Sequence, residues 1–113
     1  MKGREWSEIV EFYQSVDSSD TLIMAQFVEE IAISSYAQGL YGATSMFTLC
    51  ISQHQEFEYD RNVLRIDFVK GYFVFTYKES PFASKDWQKE CAENDGFKTF
   101  EHVVSCLNWF LTK

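Results

Sequence analysis

The sequence predicts a two-layer α+β domain. An antiparallel sheet of three or more strands, over residues 44–52, 63–69 and 72–78, is covered by helices from the N-terminal and C-terminal parts of the chain. Three observations carry this. Apolar residues recur every three to four positions at both ends of the chain and every second position in its middle. The middle segment folds back on itself around Lys70-Gly71 with large side chains matched to large side chains. The 113 residues, 46% hydrophobic and 18% aromatic, supply one core and no second one, so residues 1–113 are read as a single domain.

Residues 4–16 read as a helix, because Trp6, Ile9, Val10, Tyr13 and Val16 form one stripe with Glu5, Glu8 and Glu11 off it. Asp17-Ser18-Ser19-Asp20 breaks that helix and offers caps for the next. Residues 21–37 are apolar on more than one side, from Leu22 through Phe27 and Val28 to Tyr36. That girth implies a helix sandwiched between layers or covered by a partner subunit, ending at Gly39 as a left-handed cap. Over 44–52 the period becomes two, with Phe47, Leu49 and Ile51 on one face and Met46, Thr48, Cys50 and Ser52 on the other. Phe57 and Tyr59 keep that parity before Asp60-Arg61-Asn62 turns the chain.

A two-residue loop at Lys70-Gly71 fixes the next pairing. Val69 faces Tyr72, Phe68 faces Phe73, Ile66 faces Phe75 and Leu64 faces Tyr77; a slip of one residue destroys the match. A short helix is expected over 85–93, with Trp87 and Cys91 on one side, stopped by Asn94-Asp95-Gly96. Residues 98–112 read as an amphipathic helix with Phe100, Val103, Val104, Leu107 and Leu111 inward and Trp109 on or near the wet side. The other face of the sheet, with Met46, Cys50, Arg65, Asp67, Tyr72, Val74 and Thr76, is half apolar, so part of it is expected to be covered.

Ten Lys and Arg against seventeen Asp and Glu give a net charge of −7. Nucleic acid and anionic membranes are poor partners for such a surface, because phosphate binding requires clustered cations. No stretch approaches the length of a membrane span. The basic start Met1-Lys2-Gly3-Arg4 is not followed by the apolar core of a signal peptide, since Glu5, Glu8 and Glu11 interrupt it, and the expected location is cytoplasmic. Cys50, Cys91 and Cys106 are odd in number and lack a CxxC spacing; they are read as reduced thiols packed as small hydrophobes.

No constellation for catalysis stands out. Cys106 and His102 are four apart on a helix and within reach of one another, but Cys106 lies in an apolar run that packing explains. Two histidines and three scattered cysteines show no metal-ligand spacing, and no cofactor motif occurs, so neither metal nor cofactor is expected. Asp67, mid-strand between Ile66 and Phe68, needs a partner, and Arg65 on the same face is the candidate. The aromatic richness leaves candidate binding residues: Trp6, Tyr36, Tyr41, Tyr72 and Trp109 as interface anchors, with Asp67 beside them.

In size, acidity and helix–strand–helix order the chain resembles type III secretion chaperones and bacterial immunity proteins, two groups of small acidic proteins that bind another protein. The outline implies a protein-interaction domain without catalysis of its own, forming a homodimer and binding a protein partner. The alternative is a small-molecule-binding or enzymatic α+β domain with an aromatic-lined cavity.

Overall fold

The structure, a computed structural model, describes residues 2–57, 63–78, 87–107 and 109. Helices α1 (Trp6–Gln14) and α2 (Ser19–Ala32) come first, followed by a 3-10 turn at Ser35–Gln38. Strands β1 (Tyr41–Ser45), β2 (Thr48–Ser52), β3 (Val63–Val69), β4 (Tyr72–Lys78) and β5 (Trp87–Ala92) follow, and helix α3 (Gly96–Cys106) closes the described chain. The five strands form one antiparallel sheet in the order β1-β2-β3-β4-β5. The α+β class and the helical layer from both ends of the chain are as the sequence predicts.

The β3–β4 hairpin has the predicted register, residue for residue, from Val69 opposite Tyr72 to Leu64 opposite Tyr77. Lys70 and Gly71 both take positive φ, 52° and 89°, which makes the two-residue reversal that suits the strands' twist. One inward row results. Leu49, Ile51, Leu64, Ile66, Phe68, Phe73 and Phe75 lie buried under the helices with Ile9, Tyr13, Val28, Ile31, Phe100, Val103 and Val104. Phe27 of α2 is the hub of this layer, with ring centroids 4.8 Å from Phe73, 6.2 Å from Phe75 and 5.9 Å from Phe100. The opposite face is covered in part, as expected: Ala43, Cys50, Ser52 and Val63 are buried there while Tyr72 is exposed.

Four elements differ from the sequence reading. Residues 44–52 are not one strand: the chain reverses at Met46-Phe47, so that Ser45 pairs with Thr48 and Tyr41 with Ser52. Met46 makes the turn at φ 55° without the Gly or Asn that signals such a turn. Residues 87–92 are strand rather than helix. A spacing of four, as between Trp87 and Cys91, shares a side in both geometries, and the open hydrogen-bonding edge of β4 decides between them. The expected helix start at Lys85 and Asp86 lies outside the described residues.

The C-terminal helix ends at Cys106 with Leu107 as its cap, and the Trp109 N–H bonds back to the Val104 carbonyl at 3.2 Å. Trp109 therefore turns inward, 8% exposed, against the Tyr77 ring, and is not on the wet side. The second helix is likewise shorter than 21–37. Gly39 caps the 3-10 turn at φ −119°, in the right-handed region rather than the left-handed one. The wide apolar girth of α2 is spent inside the chain, on α1, α3 and the sheet, though Leu22 and Ile33 stay exposed.

The N-terminal segment extends the sheet edge. The Arg4 N–H donates to the Gly42 carbonyl and the Gly3 N–H to the Gln55 carbonyl, both at 2.7 Å. Gly42 admits the Trp6 ring: a Cβ there would lie 2.7 Å from it. Among the described residues no helix is long and apolar enough to cross a membrane.

Because Phe27 holds three sheet and helix rings at once, Phe27→Ala is expected to lower stability by about 3–5 kcal/mol. Urea denaturation followed by circular dichroism measures it. A loss under about 1 kcal/mol would show that the ring cluster is not the keystone of the helical layer.

Candidate functional site

Both hairpin turns, Met46-Phe47 and Lys70-Gly71, lie at one end of the sheet, because β1 and β3 run in the same direction. The α1–α2 connection reaches the same end. Between these loops lies a cleft of about 330 Å³, lined by Tyr13, Val16, Thr21, Met24, Phe47, Phe68 and Val69 with Asp20 and Asp67 among them. Its apolar surroundings are unusually open to water: Met46 is 86% exposed, Phe47 54%, Tyr72 53% and Val69 48%. The Phe47 ring stacks on Phe12, centroids 6.0 Å apart, which fixes its orientation without hiding it.

The floor of the cleft is tied by polar contacts. The buried Tyr13 hydroxyl donates to the Phe47 carbonyl at 2.9 Å, bracing the strained turn from α1. The Thr48 hydroxyl donates to the Asp67 carboxylate at 2.6 Å, across from β2 to β3. Asp67 thus has a neutral hydroxyl partner, Thr48, which the sequence does not suggest. Arg65 sits opposite Cys50 and Thr76 in the ladder. Burial pushes the Tyr13 phenol well above its ordinary 10.0, and the Asp67 charge and Cys50 add to that.

The six residues singled out from the sequence do not form one site. Asp67 lines the cleft and Tyr72 lies exposed at the same end of the sheet. Trp6 and Tyr41 meet at the opposite end, where they line a second cleft of about 370 Å³ with Arg4, Glu5, Glu8 and Gln55. Tyr36 packs edge-on against Phe100 and Phe97, and its hydroxyl donates to Glu101 at 3.3 Å. Burial and the Glu101 carboxylate raise its phenol. Trp109 is a packing residue, its carbonyl accepting from the Gln53 side chain at 3.1 Å. The sequence does not mark Phe47 as a surface residue, because alternation assigns it to the same buried face as Leu49 and Ile51; it places Met46 on the half-open face without singling it out as an anchor. Two adjacent large apolar residues with no turn former give no local sign of a reversal.

The cysteines also separate. Cys50 is buried as expected, Cys91 is half-buried and Cys106 is exposed, so the expectation of three buried thiols fails for two of them. Burial pushes the Cys50 thiol up, the Arg65 charge pulls part of that back, and Asp67 adds to the rise. Cys50 is held as a thiol rather than a thiolate. Cys106 Sγ lies 3.5 Å from His102 Nε2 on the open face of α3. Among the described residues no group of three or more His, Cys, Asp or Glu converges as a metal site would require. No family model, curated protein or solved structure matches this chain.

The raised Tyr13 phenol has a consequence at high pH. In the unfolded chain Tyr13 ionises near its ordinary value of 10.0, whereas the folded chain holds the proton to higher pH. Stability should be flat below about pH 10 on this account and fall above it, by up to about 1.4 kcal/mol per pH unit. Urea midpoints between pH 8 and 11 should therefore drop less steeply in Tyr13→Phe. Equal slopes in the two proteins would exclude Tyr13 as the source.

Proposed function

We propose that this chain is a protein-interaction domain that docks a partner at the turn end of its sheet. The occupant is a basic segment of another protein offering one large apolar side chain to the cleft. The observation that carries this is the exposed cluster of Met46, Phe47, Val69 and Tyr72 beside a cleft of about 330 Å³. Neighbouring large apolar side chains left in water mark contact surfaces, unlike scattered single ones. Charge supplies the partner's sign. Asp17, Asp20 and Asp67 stand around this end against Lys70, and the whole chain carries −7. Electrostatics of that kind speeds encounter and selects basic partners, while the apolar anchor supplies affinity.

The conformation of Met46 supports the same reading. A bulky residue at φ 55° costs about 1–3 kcal/mol, and here it carries an apolar side chain into solvent. Strain of this kind is concentrated where a surface is shaped for contact. Nothing in this reading calls on a cofactor or a reacting group.

Peptide display against the chain tests it. Selected peptides should place an aromatic or large aliphatic residue beside Lys or Arg. Their binding should fall at least tenfold in Phe47→Ser and in Met46→Asn, and weaken as salt rises. Met46→Asn should at the same time hold or raise stability by up to about 1 kcal/mol, since Asn tolerates the left-handed region. Acidic binders, or binders indifferent to both substitutions, would refute the docking site.

A further inference from the structure

The face of α3 that turns away from the sheet carries an arrangement the docking surface does not use. His102 and Cys106 are both exposed, one helical turn apart, with Nε2 and Sγ separated by 3.5 Å. Neither contributes to the core. In a tetrahedral zinc centre, with Zn–S about 2.3 Å, Zn–N about 2.1 Å and an angle near 109°, the sulfur and nitrogen ligands stand about 3.6 Å apart. In the metal-free chain this is a thiol–imidazole hydrogen-bond contact, and the same separation is one that a single tetrahedral ion can span. One turn of the same helix holds it, with no chain closure to form first. Glu101, the nearest carboxylate in sequence, is held by the Tyr36 hydroxyl.

Two ligands are half of a structural set, since such sites close with four protein donors. Among the described residues no third His, Cys, Asp or Glu joins this pair. A second copy of the same helix face, related by a two-fold axis through the ion, supplies the missing two and makes a Cys₂His₂ centre. Without the ion the two chains, each of net charge −7, have no reason to approach along this face. Binding releases the two thiol protons to solvent, so a +2 ion held by two thiolates and two neutral imidazoles leaves the local charge unchanged, and metal–ligand bonds supply the attraction.

We propose that His102 and Cys106 are a half-site for a soft divalent cation of the zinc type, completed by the same pair from a second copy of this chain. The proposal stands apart from the docking surface, which lies at the turn end of the sheet. The α3 C-terminus lies toward the other end, where Trp109 meets Tyr77.

The test is titration of the metal-free chain, kept reduced, with Co²⁺ and Zn²⁺. Co²⁺ should give intense thiolate-to-metal absorption together with tetrahedral visible bands, saturating at one metal per two chains. Light scattering should show the mass double with Zn²⁺ and return to that of one chain with a chelator. His102→Ala and Cys106→Ser should each abolish both effects while leaving the circular dichroism unchanged, and Cys91→Ser should abolish neither. Absorption that survives Cys106→Ser, a metal bound at one per chain without a change of mass, or no thiolate band at all would each overturn the proposal.

Discussion

The register between β3 and β4 is the constraint from which the rest of the structure follows. It sets Leu64, Ile66, Phe68, Phe73 and Phe75 on one face, and that row is the floor of the core. A shift by one residue would put Arg65 and Asp67 under the helices, where an unpaired charge is costly. With the floor fixed, Phe27 has one place to sit, among Phe73, Phe75 and Phe100, and the path of α2 follows from it. Because α2 must begin at the turn end to reach that position, Thr21 and Met24 come to face Phe68 and Val69 across the cleft. The position of the cleft thus follows from how the core closes.

How far the sequence shows this depends on whether two independent signals agree at a given place. At Lys70-Gly71 they do: the parity of the flanking residues and a glycine where φ must be positive select the same register, so the hairpin is legible to the residue. At Met46-Phe47 alternation is present but the turn former is not, and the backbone reverses at a residue that resists it. For β5 the residues Gln88, Lys89 and Glu90 are good helix formers, yet the bonds offered by β4 outweigh local preference. Trp6 and Tyr41 come to line the same cleft where Arg4 bonds to Gly42, a contact between segments far apart in sequence. Trp109 was misplaced by extending a good helical pattern past the point where the chain leaves it. Asp67, by contrast, could be found from one dimension, because a carboxylate in mid-strand between two buried neighbours calls for a partner, and Thr48 provides one.

The turn end departs from what stability alone would produce. Lys70 and Gly71 show the ordinary solution to a tight reversal, polar and permissive. The reversal at Met46-Phe47 uses two apolar side chains, one of them at a disfavoured φ. The Tyr13 hydroxyl braces this turn from below through the Phe47 carbonyl, and Phe12 supports the ring from the side. A loose loop would need no such bracing. A rigid, strained and apolar projection loses little conformational freedom when it is covered, and that is the property that lets a small contact area bind well.

The two proposed contacts differ in kind, and the fold keeps them apart. Docking at the turn end depends on side chains from the α1–α2 connection, the start of α2, the Met46-Phe47 turn and the β3–β4 hairpin, so it depends on how all of these are placed. The cation half-site depends on one turn of one helix and would survive many changes elsewhere in the core. If an ion joins two copies through α3, the join lies toward the Tyr77 end of each sheet, and both turn ends remain open. A bridged pair then presents two docking surfaces on one particle. Against a partner with repeated basic segments, the second contact would form at high effective concentration, with no new interaction at either site. Metal supply would thereby govern avidity while leaving the affinity of each single surface as the sheet and its turns set it.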